Sequence, residues 1–212
     1  RELAAWPTAA WPSLTASRVF VRLPLVAMPP ASRRGLTILY TGNGKGKTTA
    51  ALGMALRALG HGWRVLVIQF FKGDWPVVFG ELEMGKRLAP QFEVLQLGRG
   101  FVKHMGDAKP FDEHLAAARE ALRTARERIT SGAYDLIVLD ELIYAIDYAG
   151  VQLVSVDDVL DLIAAKPPTL HLVMTGRNAP QALIDRADLV TEMREIKHPW
   201  QQKIPAQAGV DY

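Results

Sequence analysis

A glycine- and lysine-rich stretch constrains this chain more than any other feature of its sequence. It follows the apolar residues 36–40, precedes an alanine- and leucine-rich run, and reads Thr41-Gly42-Asn43-Gly44-Lys45-Gly46-Lys47-Thr48-Thr49. In such a loop, consecutive backbone N–H groups point at phosphate oxygens, and the following helix adds the positive end of its dipole. The stretch therefore predicts a phosphate-binding P-loop joining a strand to a helix, with ATP bound by residues 41–49.

Two side chains of this loop have predicted roles. Lys47 supplies a positive charge for the bridging phosphates, and the hydroxyl of Thr48 suits a Mg²⁺ ligand. The spacing departs from the usual P-loop pattern, whose first glycine would fall at Thr41, and only three residues separate Gly42 from Gly46. We therefore expect the phosphates to sit somewhat differently from those of an ordinary nucleoside triphosphatase.

An acidic pair is predicted to lie beside the loop. The stretch 134–141 (Tyr-Asp-Leu-Ile-Val-Leu-Asp-Glu) reads as an apolar strand that ends in Asp140 and Glu141. Carboxylates at the carboxyl end of a core strand lie at the edge where open α/β sheets bind ligands, and they can hold Mg²⁺ directly or through water. The alternative is a cap between a strand and a helix, but the agreement of the acidic pair with the loop favours nucleotide binding.

The rest of the chain alternates short apolar runs with helical stretches, which is typical of βα units. We predict strands at 36–41, 64–70, 92–97, 136–140 and 170–175, with a less regular one at 189–193. Helices are expected to begin near Lys47 and Phe111, and a shorter one after Val156, where Ser155 and Asp158 resemble a capping box. The predicted fold class is α/β, a P-loop NTPase-like, doubly wound and mostly parallel sheet flanked by helices, in a single domain over residues 35–212.

Residues 1–34 differ in character from the rest of the chain. They hold five prolines, five arginines, one acid and no clean helical or strand period, so we expect an irregular or disordered segment. Three interpretations are open for residues 1–27. They are non-native or upstream sequence with a natural start near Met28, an organelle transit peptide, or an arm that orders on a ligand or partner.

Charge and composition exclude several classes of function. The formal net charge is +3, but residues 35–212 hold 20 basic and 21 acidic side chains, so the folded part lacks the footprint of a nucleic-acid-binding protein. No run of 18 apolar residues exists, and no membrane span is predicted. The absence of cysteine excludes disulfides and thiolate metal sites, so an electron needed by the protein must come from outside.

Several motifs together resemble the P-loop corrinoid adenosyltransferases of cobalamin biosynthesis. Besides the loop, they are 69–73 (Gln-Phe-Phe-Lys-Gly) with Trp75-Pro76, 139–142 (Leu-Asp-Glu-Leu) with Tyr144, 175–177 (Thr-Gly-Arg), Lys197-His198 and 209–212 (Gly-Val-Asp-Tyr). The resemblance spans about residues 35–212. It implies an enzyme that transfers the 5′-deoxyadenosyl group of ATP to the cobalt(I) of a corrinoid substrate and releases triphosphate, in adenosylcobalamin biosynthesis or salvage.

The resemblance also assigns residues. It places the triphosphate on the loop, Thr48 and Glu141 near Mg²⁺, and Arg57 and Arg177 near the nucleotide, although these arginines also suit an exposed helix face and a turn. In relatives an aromatic pair after the third strand packs on the corrin face and helps to displace the lower cobalt ligand. Phe101 matches the first member, whereas Lys103 stands where relatives have tryptophan, so Phe101 is also readable as a loop aromatic. The candidate catalytic residues are Lys47, Glu141 and Phe101.

The resemblance also implies partners, while a P-loop by itself is compatible with other functions. The resemblance implies a cytoplasmic homodimer served by a reduced flavin or flavoprotein as electron donor. One rival is an ordinary P-loop ATPase or kinase that releases ADP, and another is a nucleotide-dependent regulatory module. Analysis of the phosphate product separates the enzymatic possibilities, because triphosphate indicates adenosyl transfer and ADP indicates phosphoryl transfer.

Overall fold

Six parallel strands form the centre of the protein. A computed structural model describes residues 34–73, 78–102, 107–147 and 150–212. The strands are β1 (Thr37–Thr41), β2 (Val65–Gln69), β3 (Phe92–Gln96), β4 (Leu136–Asp140), β5 (His171–Thr175) and β6 (Leu189–Glu192). They pair in the order β3-β2-β4-β5-β1-β6, and every pairing is parallel. The predicted α/β class and all six predicted strands are confirmed, the less regular sixth included.

Helices cover both faces of this sheet. They are α1 (Lys47–Gly60), α2 (Gly80–Leu88), α3 (Phe111–Thr130), α4 (Leu142–Ile146), α5 (Val156–Ala164) and α6 (Gln181–Arg186), followed by a 3₁₀ helix at Pro199–Gln202. The predicted starts of α1, α3 and α5 are confirmed, as is the capping box of Ser155 and Asp158. The sequence pattern does not predict the short helices α2, α4 and α6. The helices α4 and α6 have five and six residues, which carry too little of the 3.6-residue period to be recognised. The helix α2 is as long as α5, but it lacks the capping box that marks the start of α5.

Side chains alternate between the two faces and build two hydrophobic clusters. Val65 and Val67 of β2 pack with the buried alanines of α1 on one face. Leu66 and Ile68 point the other way, into a larger cluster with residues of α3, α4 and α5. Because both faces are covered, the central strands are apolar along their length, as expected for parallel sheets. None of the helices in the described ranges is long and apolar enough to cross a bilayer.

Strand order decides which polar residues meet. In an all-parallel sheet every carboxyl end lies at one edge, where ligands bind. The ends of β2, β4, β5 and β1 carry Gln69, Asp140, Thr175 and Thr41, which are buried despite being polar. β5 lies between β1 and β4, so Thr175 stands between the loop that follows β1 and the acids that end β4.

Candidate active site

The glycine-rich loop leaves the sheet one residue later than the usual pattern would suggest. Thr41 is still the last residue of β1, and its hydroxyl accepts a hydrogen bond from the Ala179 N–H at 3.2 Å. The left-handed turn falls on Gly42, with φ of 90°, where an added Cβ would lie 2.4 Å from the Met193 carbonyl oxygen. Gly46, with φ of 116°, then caps α1. These positions require glycine because L side chains avoid such φ values.

The ammonium group of Lys47 lies inside the phosphate loop. Its ammonium donates to the carbonyl oxygens of Gly42 and Gly44, each at 2.7 Å, and the residue is only 9% exposed. Burial and then the nearby charge of Arg177 lower the pKa of Lys47 to about 8. The nearby carboxylates of Glu141 and Asp140 raise this pKa again only in part. A cation and backbone N–H groups at the start of a helix form an arrangement that commonly binds anions.

Asp140 is fully buried and holds the loop to the sheet. Its Oδ1 accepts hydrogen bonds from the hydroxyls of Thr48 and Thr175, each at 2.8 Å. Its Oδ2 lies 3.4 Å from both the Gln69 amide nitrogen and the Lys72 ammonium. Because the Thr48 hydroxyl donates its proton to Asp140, its lone pairs remain available to a ligand.

Glu141 has an unusual backbone conformation and an unpaired oxygen. Its φ is 64°, and its N–H donates to the Thr175 hydroxyl at 2.8 Å. Its Oε2 is enclosed and has no hydrogen-bond partner within the ranges that the structure describes. Burial, together with the neighbouring Asp140 charge, raises the pKa of Glu141 to about 7. A left-handed backbone and an enclosed carboxylate oxygen without a partner among the described residues, beside a phosphate loop, together indicate function.

A buried ion pair that the sequence patterns do not assign lies next to these acids. The Lys72 ammonium is 3.3 Å from Glu81 Oε1, and both side chains are 10% exposed. It also lies 4.3 Å from the centre of the Phe79 ring, a cation–π distance. Burial alone would lower the pKa of Lys72, but the carboxylates of Asp140, Glu141 and Glu81 raise it, so the ammonium stays charged. The motif at 69–73, which contains Lys72, was the sequence feature that could have pointed to this ion pair.

Three aromatic rings form the other end of the site. Phe101 stacks on Phe71 with ring centres 4.7 Å apart, and Tyr144 meets Phe101 edge-on at 5.6 Å. The guanidinium carbon of Arg177 lies 6.0 Å from the centre of the Tyr144 ring. Phe101 is therefore part of an ordered aromatic group. Trp75 and Lys103 lie outside the described residues.

The phosphate loop, Glu141 and two rings of the aromatic group line one cavity of about 620 Å³. Its wall includes residues of the loop, the pair Lys72 and Glu81, the rings of Phe101 and Tyr144, and part of the segment 206–212. In that segment Asp211 forms an ion pair with Lys45 and accepts a hydrogen bond from the Gln207 N–H at 2.8 Å. A cavity of this size suits a nucleotide-sized ligand.

The two predicted arginines are placed differently. Arg177 follows β5, close enough to affect the charge balance of Lys47. Arg57 lies exposed in the last turn of α1, away from the loop end of that helix, and is not among the residues that line the cavity. Its assignment to the ATP site stays a prediction.

This fold and site define a P-loop nucleotide-binding protein, and comparisons with known proteins specify its family. The family model of the ATP:corrinoid adenosyltransferases BtuR/CobO/CobP matches residues 33–212. The chain is 36% identical to the corrinoid adenosyltransferase of Escherichia coli K12 over 179 residues, which are 84% of this chain and 86% of that protein. It is 39% identical to the corrinoid adenosyltransferase of a Sinorhizobium species over 180 residues, which are 84% of this chain and 81% of that protein.

The chain belongs to the ATP:corrinoid adenosyltransferase family, whose members transfer an adenosyl group from ATP to the cobalt of a corrinoid. The predicted family and enzyme class are thus confirmed. Among solved structures, the flagellar accessory protein FlaH of Methanocaldococcus jannaschii superposes with a TM-score of 0.50 at 14% identity, over 76% of this chain and 71% of that chain. At this identity the likeness concerns the fold alone.

Proposed function

We propose that the 620 Å³ cavity is the site where the 5′-deoxyadenosyl group of ATP is transferred to the cobalt(I) of a corrinoid, with release of triphosphate. One observation carries this proposal: the phosphate loop, Glu141 of the acidic pair and two rings of the aromatic group, Phe101 and Tyr144, line the same cavity. The triphosphate then lies on the loop and the corrin ring at the aromatic end. The ribose 5′-carbon lies between them.

The transfer is a displacement at carbon. The cobalt(I) electron pair forms a bond with the ribose 5′-carbon while the bond from that carbon to the triphosphate oxygen breaks, and the bonding electrons leave with the triphosphate. Negative charge therefore grows on the whole triphosphate. The buried Lys47, the more exposed Lys45 and the loop N–H groups are placed to stabilise it.

The residues present fit a Mg²⁺ ion held with the nucleotide. Magnesium keeps several waters and needs only one or two protein ligands besides phosphate oxygens. The unpaired Glu141 Oε2 and the Thr48 hydroxyl suit this role, and the buried Asp140 would act by orienting Thr48. When bound, the ion would neutralise part of the charge of the leaving triphosphate.

Product analysis tests the proposed reaction. Purified protein, ATP, Mg²⁺ and a chemically reduced corrinoid should give equal amounts of adenosylated corrinoid and triphosphate, resolved by ion-exchange chromatography. Formation should stop when the corrinoid is omitted. Release of ADP and phosphate without adenosylated corrinoid would instead assign ATP hydrolysis or phosphoryl transfer to the cavity.

Phe101 is proposed to contact the corrinoid. An apolar ring beside cobalt excludes water or a base from the axial position and so eases reduction of cobalt(II) to cobalt(I). Phe101→Ala should slow adenosylation that starts from cobalt(II) corrinoid by about tenfold or more, roughly 1.4 kcal/mol in barrier. The variant should be much less impaired when cobalt(I) is supplied directly.

The exposed Phe111 provides the control, because it begins α3 and does not line the cavity. Phe111→Ala should match the wild type in both assays. Wild-type rates for Phe101→Ala from cobalt(II) would remove Phe101 from the corrinoid site. Thermal melting shows whether the stacked ring group survives the truncation.

The ion pair between Lys45 and Asp211 should compete with phosphate. A bound triphosphate must share Lys45 with a carboxylate, so Asp211→Asn should tighten the binding of inorganic tripolyphosphate by about two- to fivefold, as expected for a partly exposed pair. Calorimetry at low salt measures this, and the gain should shrink at high salt. Asp161→Asn, which neutralises an exposed carboxylate on α5, should leave the binding of tripolyphosphate unchanged. Weaker binding by Asp211→Asn would contradict the competition.

The remaining assignments follow from the family alone. A homodimer, a reduced flavin or flavoprotein as electron donor, a cytoplasmic location and a role in adenosylcobalamin biosynthesis or salvage are part of this proposal.

A further inference from the structure

Glu81 is a buried acid that has no role in the proposed adenosyl transfer. It lies in the first turn of α2 and lines the cavity, and its side chain is 10% exposed. A carboxylate is seldom buried unless its charge is paired and hydrogen-bonded. Its surroundings show how the protein stabilises it.

One oxygen of Glu81 is held by two donors. Its Oε1 accepts hydrogen bonds from the Gln69 amide at 2.7 Å and from the Lys72 ammonium at 3.3 Å. The Gln69 amide is itself oriented, because its oxygen accepts from the Gln96 amide at 2.9 Å. A relay of side chains from β3 and β2 therefore fixes the carboxylate of a residue that lines the cavity, and each oxygen of a carboxylate can accept more than one hydrogen bond.

Contacts link this carboxylate to both the phosphate loop and the aromatic group. Lys72, its partner, also contacts Asp140, which holds Thr48 of the phosphate loop. The residue before Lys72 in the chain is Phe71, which stacks on Phe101 in the aromatic group. A nucleotide with its triphosphate on the loop and its 5′-carbon facing the aromatic end must place its ribose beside this wall.

We propose that Glu81 recognises the ribose of ATP by accepting hydrogen bonds from its 2′- and 3′-hydroxyls, and that Gln69 and Lys72 are positioning residues that hold its carboxylate. This inference rests on the proposed function of the cavity. The chemistry is that of a carboxylate with a diol: an ionised acceptor fixed in place binds two hydroxyl donors strongly and rejects a sugar lacking one of them. Glu81 thereby makes the enzyme specific for ribonucleotides and aligns the 5′-carbon.

The test compares three nucleotides. The kcat/KM for adenosylation of chemically reduced cobalt(I) corrinoid is measured with ATP, 2′-deoxyATP and 3′-deoxyATP. The wild type should prefer ATP over at least one deoxynucleotide by about tenfold or more, as expected for hydrogen bonds to a charged group. In Glu81→Ala that preference should fall to within about twofold of unity. If Glu81→Ala does not fold, Glu81→Gln should still show a reduced preference.

Glu83 offers a matched control in the same helix. It is 44% exposed, pairs with Lys86 and does not line the cavity. Glu83→Gln should keep the wild-type preference. Lys72→Met should lose part of the preference, because the carboxylate of Glu81 is then held less firmly. Any effect of the substitution on the neighbouring acids or on the fold changes the rates with all three nucleotides equally and cancels in the ratio.

Two outcomes would overturn the inference. One is a wild type that uses the deoxynucleotides as well as ATP, and the other is a Glu81→Ala variant that keeps the full preference. Failure of the wild type to adenosylate a corrinoid with ATP would instead contradict the proposed function itself.

Discussion

Lys47→Ala should lower kcat/KM for adenosylation by about 10²- to 10³-fold, the loss seen when one pre-placed group that stabilises developing charge is removed. Lys47 is the most buried cation of the loop, with its ammonium held 2.7 Å from two loop carbonyl oxygens. No other cation of the described residues lies inside the loop in this way. Single-turnover formation of adenosylated corrinoid from cobalt(I), followed by absorbance, measures the loss without interference from the reduction step.

Lys45 is the control for this substitution. It belongs to the same loop, but its side chain is 40% exposed and already pairs with Asp211. Lys45→Ala removes the same charge and should cost several-fold at most, because solvent screens it. Near-normal single turnover by Lys47→Ala would contradict the assignment of the triphosphate to this loop. Because Lys47 also holds loop carbonyls, the melting temperature of each variant must be compared with the wild type.

Glu141→Gln should reduce Mg²⁺-dependent adenosylation by about a hundredfold while leaving the free protein at least as stable as the wild type. The substitution keeps the shape of the side chain and removes the charge of a carboxylate whose Oε2 is unpaired. The proposed magnesium site thereby loses its one unpaired anionic ligand. When the rate is titrated with Mg²⁺, the variant should need a higher Mg²⁺ concentration for its half-maximal rate. An unchanged dependence on Mg²⁺ would mean that Glu141 only caps the turn between strand and helix.

The stability effect has a defined pH dependence. Burial raises the pKa of Glu141 in the folded protein to about 7, above its ordinary value of 4.5. The folded state therefore holds the proton more tightly, and the wild type loses stability as the pH rises from about 4.5 to about 7. The comparison is made with a chelator present and without nucleotide. The free energy of unfolding of Glu141→Gln, relative to that of the wild type, should be higher by about 1–3 kcal/mol at pH 8 than at pH 5. Urea denaturation at the two pH values measures this difference.

The nucleotide site could be predicted because its determinants are local. The loop at 41–49 combines a strand, glycines and a helix start within a few residues, and each part has its own sequence signature. The apolar run ending in Asp140 and Glu141 is equally local. Strand positions followed from apolar runs, α3 from helical spacing, and α5 from the capping box at Ser155.

The helices that were missed show the limit of local patterns. The helix α2 has nine residues, as α5 does, but it contains Gly80 and Gly85 and has no capping box, and α4 has five residues. Their positions depend on packing against the sheet, since α2 lies on the edge strand β3 and the residues of α4 are buried under β5. Propensity has little influence on such short segments, whereas tertiary contacts stabilise them.

The sequence by itself determined the phosphate loop, the acidic pair and the parallel α/β class, because these depend on residues close together in the chain. Only the tertiary structure decided which distant residues share the site. Glu81 meets Lys72 and Gln69 because α2 packs back on β3, the strand beside β2, and Asp211 meets Lys45 because the segment 206–212 returns to the loop. The first contacts span 9 and 12 residues, whereas the second joins residues far apart in the sequence. Both depend on how the elements pack and where the chain returns, which no local pattern encodes.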